Sequence, residues 1–149
     1  MRKVCDFLES IKDILNPDIM LDFITSSQNY DKLIFKENSD GSEIKKLNID
    51  HIPKNSIAFT LDYCSNSQHF PQLSQYLNPV NANGINKSCD IVIIVCESDN
   101  YDVFLFDLKS RSVKPKKCHL QLNNSEIFLN YLLMLLESYY SDIFKSKKK

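Results

Sequence analysis

Asp90, Asp107 and Lys109 are the residues of this chain whose types and spacing fit a chemical task; they lie within KSCDIVIIVCESDNYDVFLFDLKSRSVKPKKCHLQ, residues 87–121. The run 89–96 is apolar and largely β-branched apart from Asp90, the pattern of a strand buried on both faces. Residues 97–102 turn the chain back into 103–110, where VFLF gives way to Asp107 and Lys109. Alternation along a strand sets Asp107 and Lys109 on one face. A hairpin centred near Ser98 or Asp99 sets Asp90 opposite one or the other of them. Two carboxylates and an ammonium then meet at one end of an apolar sheet. Isolated charges are costly to bury, so such a cluster implies mutual pairing or a metal. Paired carboxylate oxygens suit Mg²⁺, or Mn²⁺ in its place, because hard cations take oxygen ligands. The lysine is placed to orient a water and to offset charge building on a phosphate.

Asp90, followed across a hairpin by Asp107-Leu108-Lys109, resembles the core of the PD-(D/E)XK nuclease superfamily, the restriction-endonuclease-like fold. The resemblance covers residues 87–121 and departs from the common pattern in two ways: Asp107 stands where glutamate is more frequent, and no proline precedes Asp90. It implies that Asp90 and Asp107 hold the metal ion and that Lys109 serves the attacking water. Gln121 stands where RecB-like branches carry a further glutamine on the next helix. The activity that the resemblance implies is that of a metal-dependent nuclease with Mg²⁺ or Mn²⁺ as cofactor, cutting DNA ahead of RNA, in restriction or defence against foreign DNA. The alternative is a catalytically inactive nuclease-like fold that acts as a protein-binding or assembly subunit. Arg111, Lys114, Lys116 and Lys117, in a basic loop over 111–117 that Pro115 keeps from continuing the strand, are the expected nucleic-acid contacts. Lys and Arg on phosphates supply most non-specific affinity.

Composition narrows the alternatives. The chain has 149 residues, enough for one domain over 1–144, with a basic tail at 145–149 expected to be disordered. The formal net charge is −1, so affinity for a polyanion has to come from a local patch rather than from bulk charge. Two glycines exclude Gly-rich phosphate loops of the P-loop or Rossmann kind. Five cysteines, with no C-x-x-C pair, point to reduced thiols and a cytoplasmic setting. No apolar run has membrane-spanning length, and the N-terminal stretch, interrupted by acidic residues, does not read as a signal peptide. No membrane partner is expected. Cys118-His119, Cys64 with His69, and Cys89 with Cys96 have no zinc-like spacing, and Cys89 and Cys96 are expected on opposite faces of one strand. Asp62 and Glu9 are further acidic candidates that read more simply as surface carboxylates.

The elements that must position this site follow from periodicity. Val4, Phe7, Leu8, Ile11, Ile14 and Leu15 predict an amphipathic helix stopped at Asn16-Pro17, and 18–26 a second short one. Residues 32–36 and 43–49 flank Asn38-Ser39-Asp40-Gly41 as a hairpin. Ile57, Phe59, Leu61 and Tyr63 alternate as a strand with one polar face; Phe70, Leu73, Tyr76 and Leu77 predict a short helix; 78–88 reads as a loop. The last element, 119–144, is a long helix whose stripe of Gln121, Ser125, Phe128, Leu132, Leu135 and Tyr139 is broadened by Ile127, Leu129, Tyr131, Leu133 and Leu136. Its apolar width implies packing on the sheet and on something more, either the first helix or a partner, so a homodimer or larger complex through this helix is expected. The fold class predicted is α/β, a mixed central β-sheet flanked by helices in a restriction-endonuclease-like sandwich.

Overall fold

The computed structural model describes residues 2–36, 44–64, 69–70, 73–74, 76–78, 80–97, 100–108 and 115–140. Helix α1 (Arg2–Ile14) buries Phe7, Leu8 and Ile11 on one face, with Leu15 buried just beyond its end. Asn16 closes it: its side chain accepts the Asp18 N–H at 3.0 Å, and Pro17, with no N–H to satisfy, opens a single 3₁₀ turn (Pro17–Ile19). The second helix predicted for 18–26 does not form. Leu21 N–H bonds the Ala58 carbonyl and Thr60 N–H the Ile19 carbonyl, both at 2.9 Å, drawing the chain out straight. Phe23-Ile24-Thr25, types whose side chains crowd a helix, becomes strand β1 (Phe23–Thr25).

Strands β2 (Tyr30–Lys36) and β3 (Lys46–Pro53) form the expected hairpin and complete a three-stranded sheet in the order β1-β2-β3. Its predicted turn, Asn38-Ser39-Asp40-Gly41, lies outside the described residues. One extra residue on β3 shifts the register between the Asp31 and Leu33 pairings, and His51 absorbs the bulge with φ 60°.

A second three-stranded sheet holds β4 (Ser56–Phe59), β7 (Ile91–Glu97) and β8 (Asn100–Phe106), with β7 central. A two-stranded ribbon pairs β5 (Tyr63–Cys64) with β6 (His69–Phe70). Among the described residues every strand pairing is antiparallel. The architecture is therefore α/β, but two antiparallel sheets stand where a single mixed one was predicted. Parallel pairing needs a long crossover, whereas most strands here follow one another through short turns.

Three layers result. Against one face of the β4-β7-β8 sheet lie α1 and helix α2 (Pro115–Tyr139), around Ile57, Phe59, Val92, Ile94 and Leu136. Against the other lies the β1-β2-β3 sheet, around Leu33, Ile52, Ala58, Ile91 and Ile93. This accounts for the unbroken apolar run of β7, buried on both faces as its sequence predicts. It also buries all of β4, where a polar face was expected: Ala58 and Ser56 are small enough to sit under the second sheet. Asp62 is exposed beyond the end of β4.

The helix predicted around Phe70–Leu77 is replaced by β6 and turns. Asn86, only 3% exposed, outcompetes it: its side chain takes the Ser74 N–H at 2.8 Å and donates to the Ser74 carbonyl at 2.6 Å, while its carbonyl accepts Leu73 N–H. The 78–88 stretch is a loop as predicted, with Asn78 and Asn81 each accepting the N–H two residues on. Gly84 turns the loop at φ 68°.

Candidate active site

The pairing of β7 with β8 runs from Glu97↔Asn100 to Ile91↔Phe106. The two residues between the strands, Ser98 and Asp99, are the predicted hairpin centre and lie outside the described residues. The last pair at the open end is Ile91↔Phe106, so Asp90 and Asp107 are the residues that adjoin it on the two sides of the hairpin. The return strand stops at Phe106, so Asp107 and Leu108 follow it as irregular chain, and Lys109 lies outside the described residues. Strand alternation therefore does not set the relation of Asp107 to Lys109.

Asp90 itself closes the ladder. Its N–H bonds the Phe106 carbonyl at 2.9 Å, and its carboxylate Oδ2 accepts the Leu108 N–H at 2.5 Å. A carboxylate thus replaces the next main-chain acceptor, a charge-assisted bond stronger than the one it stands in for. Asp90 and Asp107 are both half-buried.

Helix α2 holds the chain leading into Asp90 by three consecutive main-chain groups. Asn124 Nδ2 donates to the Lys87 carbonyl at 2.9 Å, Gln121 Nε2 to the Ser88 carbonyl at 3.2 Å, and the Cys89 N–H donates to Ser125 Oγ at 2.8 Å. The Ser125 hydroxyl in turn donates to the Gln121 carbonyl at 2.9 Å, and Ser88 Oγ to the Leu61 carbonyl at 3.1 Å. Gln121, expected at the site, donates its amide to the Ser88 carbonyl, two residues before Asp90. The latch of Ser125, Asn124 and Ser88 is not foreseen from the sequence. Its signal is a small polar residue inside an apolar helical stripe, one turn after Gln121.

The same latch explains a misplaced cysteine. Cys89 and Cys96, predicted on opposite faces, belong to one core cluster on the helix side. Cys89 precedes β7, and its N–H turns to Ser125 instead of continuing the ladder. Cys89, Cys96 and Cys118 are thiols. Burial pushes the Cys89 thiol pKa above its ordinary value; the Ser125 hydroxyl pulls it back, and the charges of Asp90 and Asp107 push it up again. Both carboxylates therefore lie within electrostatic reach of the Cys89 thiol.

The basic residues are arranged differently from the loop predicted. Pro115 begins α2 rather than blocking a strand, since its fixed φ and missing N–H suit a first helical turn. Lys116 and Lys117 are consequently exposed in that first turn, and Gln121 falls in the second. Arg111 and Lys114, like the 145–149 tail, lie outside the described residues. Glu9 pairs with Lys12 at 2.7 Å on the outer face of α1, an ordinary surface ion pair.

Carboxylate oxygens suit a hard divalent cation completed by water. Among the described residues no set of three His, Cys, Asp or Glu converges. A cavity of about 20 Å³ lined by Ile11, Phe59, Ile94 and Leu136 lies elsewhere, in the apolar core under the helices. No helix of the described residues is long and apolar enough to cross a membrane. No family model, curated protein or solved structure matches this chain.

Proposed function

We propose that the chain is a metal-dependent nuclease, hydrolysing phosphodiester bonds of DNA ahead of RNA at the open end of the β7–β8 hairpin. The observation that supports this reading is that Asp90 and Asp107 adjoin the last pair of the β7–β8 ladder, with the α2 residue Gln121 bonded to the Ser88 carbonyl two residues before Asp90. Asp90 and Asp107 would hold Mg²⁺ or Mn²⁺ through carboxylate oxygens. When bound, the ion supplies Lewis acidity at the phosphoryl group and an acidified water. Lys109, in the third place of the D-x-K triplet, offsets charge on the phosphate. Gln121 and Ser125 are positioning residues, since they fix the backbone on which Asp90 is carried. Lys116 and Lys117, exposed in the first turn of α2, are available to nucleic-acid phosphates. Restriction or defence is the setting that fits a nuclease without a base-reading module of its own.

A specific observation favours a second reading, a nuclease-like assembly subunit without activity. Asp90 spends an oxygen on the Leu108 N–H, and Gln121 spends its amide on the Ser88 carbonyl, both tasks that serve the fold alone.

Wild type, Asp107→Asn and Lys109→Ala, incubated with single- and double-stranded DNA and with RNA in Mg²⁺, Mn²⁺ or EDTA, separate the two. Asp107→Asn should lose metal affinity and cleavage while melting normally in EDTA. Lys109→Ala should keep the metal-dependent rise in melting temperature and lose cleavage. A wild type that cuts nothing and melts identically with and without metal overturns the enzyme in favour of the subunit.

A further inference from the structure

Helix α2 is apolar on two opposite faces. One carries Ser125, Leu129 and Leu136 into the core; the other presents Leu120, Ile127, Tyr131 and Met134, which are 37%, 60%, 54% and 67% exposed. These four recur at intervals of a whole number of turns and form one stripe, spanning roughly 21 Å at the helical rise per residue. Their pattern is nearly symmetric about Ile127. Leu120 lies as far before it as Met134 lies after it, and Lys116 near the start of the helix is balanced by Glu137 near its end. Both Lys116 and Glu137 are exposed and flank the stripe on the same side.

We propose that this face pairs with a second copy of the chain, α2 against α2 and antiparallel, with Ile127 on the two-fold axis. A two-fold interface requires that when one residue meets a second, the second meets the first on the other side. An antiparallel pair centred on Ile127 satisfies this for Leu120, Ile127 and Met134, while Tyr131 falls opposite the exposed Asn123. Leu120 meets Met134 of the other copy twice over, Ile127 meets itself, and Lys116 reaches Glu137 at both rims. Because both residues lie to the same side of the stripe, the antiparallel two-fold brings Lys116 of each copy to the rim that carries Glu137 of the other, so opposite charges meet at both ends. Four side chains on one helix make a smaller surface than the roughly 800 Å² per partner of a stable complex, so the dimer expected is weak and concentration-dependent. Its contacts are independent of whether the acidic pair is catalytic.

The test is the mass in solution by sedimentation or light scattering over roughly 1–100 µM. The full chain should move from its 17.3 kDa monomer mass towards twice that value. Ile127→Glu, which sets two carboxylates together on the axis, should weaken association at least tenfold without changing the melting of the monomer. Met134→Glu repeats the test at the most exposed of the four positions, and Tyr76→Glu, at a fully exposed ring outside α2, should leave association intact. Lys116→Glu should weaken pairing, and Lys116→Glu with Glu137→Lys should restore it. In a Cys118→Ser background, Leu120→Cys with Met134→Cys should cross-link copies under oxidation, and Leu120→Cys alone should not. A chain monomeric throughout, a dimer indifferent to both Ile127→Glu and Met134→Glu, or self-cross-linking of Leu120→Cys alone overturns the proposal.

Discussion

Replacing Ser125 by Ala measures how firmly α2 holds the chain that carries Asp90. Ser125 is 0% exposed, as is Cys89, whose N–H it accepts at 2.8 Å. Ala removes the hydroxyl and leaves that N–H buried without its partner, which costs about 1–3 kcal/mol. Ala is also the better helix former, returning about 0.5 kcal/mol. The net loss is about 1.5 kcal/mol, and at this chain length each kcal/mol moves the midpoint by roughly 2–4 °C, so melting should fall by about 5 °C. Ser138 supplies the control on the same helix. Its hydroxyl donates to the Met134 carbonyl at 2.8 Å on the exposed surface, so water replaces it freely. Ser138→Ala should be neutral or stabilising by about 0.5 kcal/mol. The same substitution thus differs by about 2 kcal/mol between two positions of one helix, entirely through the buried Cys89 N–H. Urea melts with an unchanged slope check that the difference lies in stability and not in the compactness of either state. If the two variants lie within about 0.5 kcal/mol of each other, the latch contributes nothing and the account of how Asp90 is positioned fails.

The same corner yields two more expected outcomes. Asp90→Ala takes the acceptor from the Leu108 N–H, whereas Asp90→Asn keeps a neutral one, so Ala should cost about 1 kcal/mol more in urea melts while both abolish any metal-dependent cleavage; equal costs would remove the structural role of this carboxylate. Cys89 has a folded pKa raised, by burial first, above its ordinary value of 9.0. A raised folded value keeps its contribution intact below about pH 9 and loses it as pH climbs through the folded value. Tyr140, raised chiefly by its hydrogen bond to Asp13, acts in the same sense. The difference between wild type and Cys89→Ala isolates the thiol: the variant should lose stability less steeply above pH 9, and parallel alkaline limbs would refute the burial argument.

The sequence by itself determined the elements whose pattern is local and strong. The apolar spacing from Phe7 to Leu15 dictates α1, the paired runs around Leu33 and Leu47 dictate a hairpin, and the unbroken run from Ile91 to Cys96 dictates a strand covered on both faces. That 91–97 and 100–106 pair as a hairpin, with Asp90 and Asp107 adjoining its open end, was legible because a hairpin's register follows from arithmetic along the chain. What lay beyond the sequence were choices made by distant atoms. Residues 19–25 carry apolar spacing that a helix would accept, and bonds to Ala58 and Thr60 and pairing with β2 draw them into extended chain. The stretch around Leu73 follows Asn86 instead of its own periodicity. Pro115 reads as a breaker when met from the strand before it and as a first helical residue when met from the helix after it. The role of Gln121 divides in the same way. Its position near Asp90 follows from chain order, but its bond to the Ser88 carbonyl exists only because α2 packs across the start of β7. Short-range patterns fix which elements can form, since they depend on each residue's own backbone and side-chain preferences. Which polar group satisfies which other is settled by packing, because a buried N–H or carbonyl takes whatever partner the assembled layers bring within reach.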